Sequence, residues 1–519
     1  MLYKNRIILF VICEKILVNS INCGLSSNFL NVFGFLWKKF ASAKKMLSDI
    51  DSSDACDGID LSHYQNELAR QRSSHTINIR RTFQSDEQNF HSRIFKPRYR
   101  VPSFEKTEIN IDDIVNAFEN NDLPSIEKIC LYISSSQNVQ IINSITENDD
   151  FLDLISSAAS YLNSPGSLEA YLSLIITLSE RESASNMITD ALFIIRDYLN
   201  EFPQIILTFY VNLPNSSVFG RDAMICTGII EDIFLFCHEN KDPNLVALAA
   251  NSLHSIFCCN EIVANEIIRM YFQNVIDLLK LPNIDAVYFV MLALIDIISQ
   301  DKSFIEELYN QNVHIFVSQA VENEKLTWPS ICLAGNMANC EYSGIVKLYN
   351  SGVITKISQL PLNLFNGDAF FLLSNCAEAA IEIVLPLFNL EFLGRVKALL
   401  NYCPFAIFKD AAYFLATLLV FAPFEIVKVV LSLGITDFIN QMLESGQEFM
   451  VIRGLDAINR VFFLVHSSVE VKKNLTQFFL SEDLMENLER LQMEGVKLIA
   501  CKSKTVENYI HQFYGDVLS

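Results

Sequence analysis

Residues 368–380 read DAFFLLSNCAEAA, which sets Phe371, Asn375 and Glu378 at i, i+4 and i+7. On a helix these three share one stripe. An amide side chain carries both a donor and an acceptor, so Asn375 can clamp one peptide unit of an extended segment laid across it. The ring one turn earlier can wall a slot for a Lys or Arg stem and hold the cation over its face, worth ~0.5–2 kcal/mol. Glu378 can then pair with the basic head group. The same amide has an inward use: in an apolar helix it can satisfy a buried backbone group of a neighbour. Spacing alone leaves both uses open.

Nothing in the chain has the spacing of a catalytic centre. The 8 histidines are dispersed, with His63, His75 and His91 near the N-terminus and His254 and His314 in apolar segments. None stands in HExxH spacing, and no glycine-rich phosphate loop or nucleophile elbow occurs. The 13 cysteines are scattered, often inside apolar runs such as Phe257-Cys258-Cys259, and show no CxxC pairing. They read as thiols buried in a reducing compartment, so neither a disulfide framework nor a zinc site is expected. The expectation is a binding protein rather than an enzyme, without cofactor or metal.

Composition points to many buried helices. Of 519 residues 51% are hydrophobic and the mean hydropathy is +0.26. The apolar run AAYFLATLLVFAPF (411–424) stops at Pro423 and Glu425, short of the ~20 residues a bilayer span needs, and reads as a core helix. Charge divides the chain. Residues 1–100 hold 15 Lys and Arg against 9 Asp and Glu, a net of +6, which leaves 24 against 51, a net of −27, for the remainder. So acidic a body repels nucleic-acid phosphates and suits basic partners. At the N-terminus MLYKNRIILFVICEK is apolar but lacks a clean cleavage site, and Met46 opens a polar stretch. Residues 1–45 therefore read as an extension outside the fold, 46–104 as a disordered basic arm, and 105–515 as the folded body.

From about residue 110 the periodicity is helical, and strand signals are absent. One unit recurs. Its junctions are YFQNVIDLL with Asn274, YNQNVHIFV with Asn312, YNSGVITKI with Gly352, FNLEFLGRV with Glu391 and LSLGITDFI with Gly434, at spacings of 38, 40, 39 and 43. Asn and Gly at such places fit tight interhelical turns with positive φ. A period near 40 with two or three helices per unit predicts an all-α, right-handed armadillo-repeat superhelical solenoid of about nine or ten repeats.

Against that frame the chain resembles importin-α, the armadillo adaptor of nuclear import, over roughly residues 65–515. That family carries a Trp and, four residues on, an Asn in the inner helix of its repeats. Phe371 and Asn375 look like that pair, Cys332 and Asn336 of ICLAGNMAN like the preceding one, and Tyr413 and Thr417 of DAAYFLATLL like the next. VIRGLDAINRVFF (451–463) is similar to the following repeat, and 487–513 to the family's capping repeat. The arm segment RTFQSDEQNFHSR resembles the importin-β-binding element, with Arg81, Asp86, Glu87, Gln88, Phe90 and Arg93 in register and Arg70, Arg72 and Arg80 upstream. The resemblance implies basic nuclear-localisation peptides as cargo, importin-β as partner of the arm, no nucleic acid, no membrane, and residence in cytoplasm and nucleus. A free arm can also fold back and compete with cargo. The departures lie N-terminally, where Tyr171 and Ile175, and Asn251 and Ser255, stand at the expected pairs. That half has lost the asparagine ladder, which leaves the alternative of an armadillo interaction scaffold without localisation-signal recognition.

Overall fold

The structure is a computed structural model. It describes residues 111–136, 165–179, 192–258, 262–361, 367–434, 436–465 and 475–518, with a few isolated positions between. The arm and the extension before it lie outside the described residues, and with them Arg70, Arg72, Arg80, Arg81, Asp86, Glu87 and Arg93.

Every described element is helical, and the molecule is an all-α solenoid. One series of long helices runs through it: α1 Leu123–Ser136, α2 Pro165–Ser179, α3 Pro203–Ser216, α4 Pro243–Phe257, α5 Ile284–Gln300, α6 Thr327–Met337, α7 Gly367–Val384, α8 Phe405–Phe421, α9 Glu448–Val465 and α10 Lys497–Leu518. Each packs on the next, and from α1 to α9 successive starts fall 38 to 43 residues apart. Most are apolar almost all round because neighbours cover them on both sides. In α5, for example, Ala286, Phe289, Met291, Ala293, Leu294 and Ile297 are all buried.

The starts are chemically marked. Pro165, Pro203 and Pro243 open their helices, where the missing N–H costs nothing. Asp242 and Asn283 cap α4 and α5 by accepting from Asn244 N and from Asp285 and Ala286 N. Two shorter helices precede each long one where the unit is complete, as in Tyr342–Asn350 and Val353–Gln359 before α7. This three-helix unit makes the solenoid armadillo-like.

The turn between the two short helices takes positive φ at Gly228 (77°), Asn312 (58°), Gly352 (84°) and Gly434 (84°), and two further left-handed residues, Asn121 (53°) and Gly446 (67°), stand just before α1 and α9. Asn274 and Glu391, read in the same register, are helical instead. Asn274 lies inside the single helix Asn265–Asp277, and Glu391 opens Leu390–Leu400 behind the cap Asn389. At those two repeats the pair of short helices is reduced to one, so no left-handed turn is needed.

α7 with its following turn, Gly367–Leu387, is the one described helix long and apolar enough to cross a membrane. It lies between α6 and α8 and carries buried Asn375 and the buried side chain of Glu378, as a central packing helix does. Its backbone leaves helical geometry at Ala380 (φ −158°, ψ 59°).

Candidate functional site

Polar side chains on the long helices, or just before their starts, reach from one repeat to the next at a pitch of 40 residues. Asn283 Nδ2 donates to the Pro243 carbonyl. Lys325 Nζ pairs with Asp285 Oδ1 at 2.8 Å, Trp328 Nε1 donates to Asp368 Oδ2 at 3.3 Å, Asn375 Nδ2 to the Gly335 carbonyl at 3.1 Å, and Arg453 Nη2 to Tyr413 Oη at 2.9 Å. The 40-residue sequence period is thus also a hydrogen-bond period.

Asn375 is 4% exposed, and the bond it makes has a local cause. Near the end of α6 the amides of Ala338 and Asn339 donate to Ala334 and Asn336, passing over Gly335. Its carbonyl is one of those a helix end leaves over, and Asn375 caps it from the next repeat. Asn336, 6% exposed, donates to the Cys332 carbonyl at 3.0 Å while its Oδ1 accepts from Ser299 Oγ at 3.4 Å. Thr417 is fully buried and donates to the Tyr413 carbonyl at 2.8 Å. Cys332 is buried, whereas Phe371 and Tyr413 are half-buried.

Glu378 has the least expected surroundings. Its Oε1 lies 2.7 Å from Arg453 Nη2 and accepts from Tyr413 Oη at 3.4 Å, and both charged side chains are 1% exposed. The guanidinium carbon stands 4.9 Å from the Tyr413 ring centroid and 5.3 Å from that of Phe421. Burial pulls the Arg453 pKa down, but the Glu378 carboxylate and Tyr413 outweigh it and hold the pKa above its ordinary value. So Glu378 bridges α7 and α9 past α8, and its partner is Arg453 rather than an incoming head group. Sequence reasoning missed Arg453, although its signal was there: an Arg at 40 residues from Tyr413 inside the apolar helix VIRGLDAINRVFF.

A second row was also missed. Tyr288, Trp328 and Asp368 stand 40 residues apart near the starts of α5, α6 and α7, each half-buried, with the two rings 6.3 Å apart. Asp368 precedes Phe371 by three residues on α7, so this row adjoins the predicted stripe. In the N-terminal half, Tyr171, Ile175 and Ser255 are buried. Burial pushes the Cys237 thiol up to about 12 and the Cys340 thiol up to about 11, which keeps both protonated and inert.

No family model matches the sequence, and no curated protein matches it. Among solved structures, an engineered protein superposes with a TM-score of 0.61 at 14% identity, over 78% of this chain and 99% of its own. A designed armadillo repeat protein matches 44% of this chain and 99% of its own at 15% identity and a TM-score of 0.39. Computationally designed armadillo repeat proteins for modular peptide recognition match 45% of this chain and 98% of their own, at 16% identity and 0.38. At these identities the first likeness shows the fold alone.

Proposed function

We propose that this armadillo-like solenoid is a protein-interaction adaptor and, more finely, an importin-α-like one. Its body takes basic localisation peptides, and the arm around residues 65–100 takes importin-β through Arg70, Arg72, Arg80, Arg81, Asp86, Glu87 and Arg93. On this reading the chain works between cytoplasm and nucleus by binding, not catalysis. The row Tyr288, Trp328 and Asp368, set in a body of net charge −27, carries the proposal. Aromatic faces beside a carboxylate suit a Lys or Arg stem and its cation. Contact is then made at Trp328, Asp368 and Phe371, with Tyr413 further along, rather than through Asn375 and Glu378.

A second reading is an interaction scaffold that has lost peptide recognition. It is favoured by the spending of Asn375, Asn336, Thr417 and Glu378 on internal partners.

Titration of a Lys/Arg-rich peptide into the full chain separates the two. The sequence holds 2 Trp, Trp37 and Trp328, so Trp37→Phe leaves Trp328 as the sole reporter. The adaptor predicts salt-sensitive binding that perturbs Trp328 emission and falls ~2- to 30-fold in Trp328→Ala, the equivalent of a ~0.5–2 kcal/mol ring contact. Absence of binding both to the full chain and to a variant with Arg70, Arg72, Arg80 and Arg81 changed to Ala leaves the scaffold.

A further inference from the structure

At the junction of α4 and α5, away from the row described above, three metal-ligating side chains of different kinds converge. His254 and Cys258 occupy the last turn of α4 and its cap, one turn apart, and Asp296 projects from α5. His254 Nε2 lies 3.1 Å from Asp296 Oδ2, and one imidazole nitrogen, one carboxylate oxygen and Cys258 Sγ all lie within 4.8 Å of one another. The His254 and Asp296 side chains are 7% and 6% exposed.

The carboxylate is not explained by hydrogen bonding. Asp296 Oδ2 is buried and has no hydrogen-bond partner among the described residues, because its close approach to His254 Nε2 does not have hydrogen-bond geometry. A second acceptor is stranded one turn on. Gln300 donates through Nε2 to the Phe257 carbonyl at 2.7 Å, which brings it beside Cys258, while its Oε1 is buried without a partner. Two i, i+4 pairs, His254 with Cys258 and Asp296 with Gln300, thus face one another across adjacent helices. Buried oxygens with no donor carry a desolvation cost that a cation would relieve.

We propose that His254 Nε2, Cys258 Sγ and Asp296 Oδ2 bind a zinc ion that ties α4 to α5, with the fourth position held by water or by Gln300 Oε1. The donor set is that of zinc: imidazole, thiolate and carboxylate together, at bonds of ~2.0–2.3 Å, which in a tetrahedron separate the ligand atoms by ~3.3–3.8 Å. One spacing is 3.1 Å and none exceeds 4.8 Å, so side-chain adjustment is enough to reach that range. On binding, the Cys258 thiol gives its proton to solvent as the sulfur–zinc bond forms. Cys258 is the half-buried member, next to the exposed Asn215, and marks the way in. The spacing gives no CxxC signature because each helix supplies only part of the ligand set.

The test uses the full chain, stripped with EDTA and titrated with Co²⁺ as a spectroscopic stand-in, then with Zn²⁺. The expected result is a thiolate-to-cobalt charge-transfer band that saturates at one metal per chain and is bleached by zinc. The band is lost in Cys258→Ser and kept in Cys259→Ser. Affinity falls in His254→Gln and Asp296→Asn by more than the ~10–100-fold that outer-shell partners command. Zinc raises the thermal midpoint of the wild type and not that of His254→Gln, read on samples whose helical circular dichroism matches. Absence of saturable cobalt binding by the wild type, or an unchanged band in Cys258→Ser, overturns the proposal.

Discussion

Replacing Glu378 by Gln tests whether the solenoid's C-terminal half is held by a buried charge pair. Arg453 keeps its proton in any protein environment, so the variant leaves a full cation where both side chains are 1% exposed. An exposed pair would be worth ~0–1 kcal/mol. Removing one partner of a buried pair costs ~3–5 kcal/mol, because the desolvation penalty remains and the attraction at 2.7 Å is gone. The Tyr413 and Phe421 rings still face the guanidinium and recover ~0.5–2 kcal/mol at most. The double variant Glu378→Gln with Arg453→Met removes both penalties and should return to within ~1–2 kcal/mol of wild type. Helical arrays lose two-state behaviour and each repeat touches only its neighbours, so the readout must be local. Native-state hydrogen exchange should accelerate by roughly 10²–10⁴-fold in peptides from α7, α8 and α9 and stay unchanged in α4 and α5. A loss below ~1 kcal/mol in Glu378→Gln, or a double variant as damaged as the sum of the singles, refutes the reasoning.

Asn375→Ala uncovers the Gly335 carbonyl at the end of α6 and should cost ~1–3 kcal/mol, seen as faster exchange in α6. Gly352→Ala has room, with only Ser318 Oγ at 3.8 Å, so its cost of ~1–2 kcal/mol comes from φ +84° alone, measured by native-state hydrogen exchange in Tyr342–Asn350 and Val353–Gln359. Asn312→Gly, at φ 58°, should change hydrogen exchange in Ile305–Asn310 and Val313–Ala320 little. His314 is buried, with the Lys347 cation nearby, and desolvation followed by that charge holds its pKa below the ordinary 6.5. The unfolded chain then binds more protons below pH 6.5, so stability falls as pH drops through that value. His314→Asn should lessen the acid-induced fall in thermal midpoint.

The repeat was legible because it is written twice, in apolar periodicity and in turn residues. Asn312, Gly352 and Gly434 adopt the left-handed turns that their types suggested. Asn274 misled because an Asn tolerates a left-handed turn without requiring one, and its flanks YFQ and VIDLL continue a helix. The stripe Phe371, Asn375 and Glu378 was legible as a stripe, but not the direction it faces. Direction depends on what the neighbouring repeats offer, here a leftover carbonyl on α6 and an arginine on α9, and no local window contains either.

The stranded carbonyls explain why so many polar residues sit in apolar helices. Gln300 caps Phe257 at the end of α4, and Asn375 caps Gly335 near the end of α6. Arg395 caps Leu360 after Val353–Gln359, and Arg490 caps Leu443 near the end of Thr436–Glu444. A helix end leaves acceptors that it cannot satisfy itself, and at these four ends a side chain of the next repeat satisfies one of them. A stacked array needs this more than a globular domain does, since a repeat has no core apart from its neighbours. An amide on an inner helix is therefore claimed first by its neighbour, and is open to a ligand only where that carbonyl is already capped. On the proposed reading recognition falls instead to the half-buried Tyr288, Trp328 and Asp368 near the starts of α5, α6 and α7, two of which are also joined by the Trp328 Nε1–Asp368 Oδ2 bond. On that reading Trp328→Ala is the substitution expected to weaken peptide binding, at the further loss of its bond to Asp368, and Asn375→Ala the one expected to weaken cohesion alone.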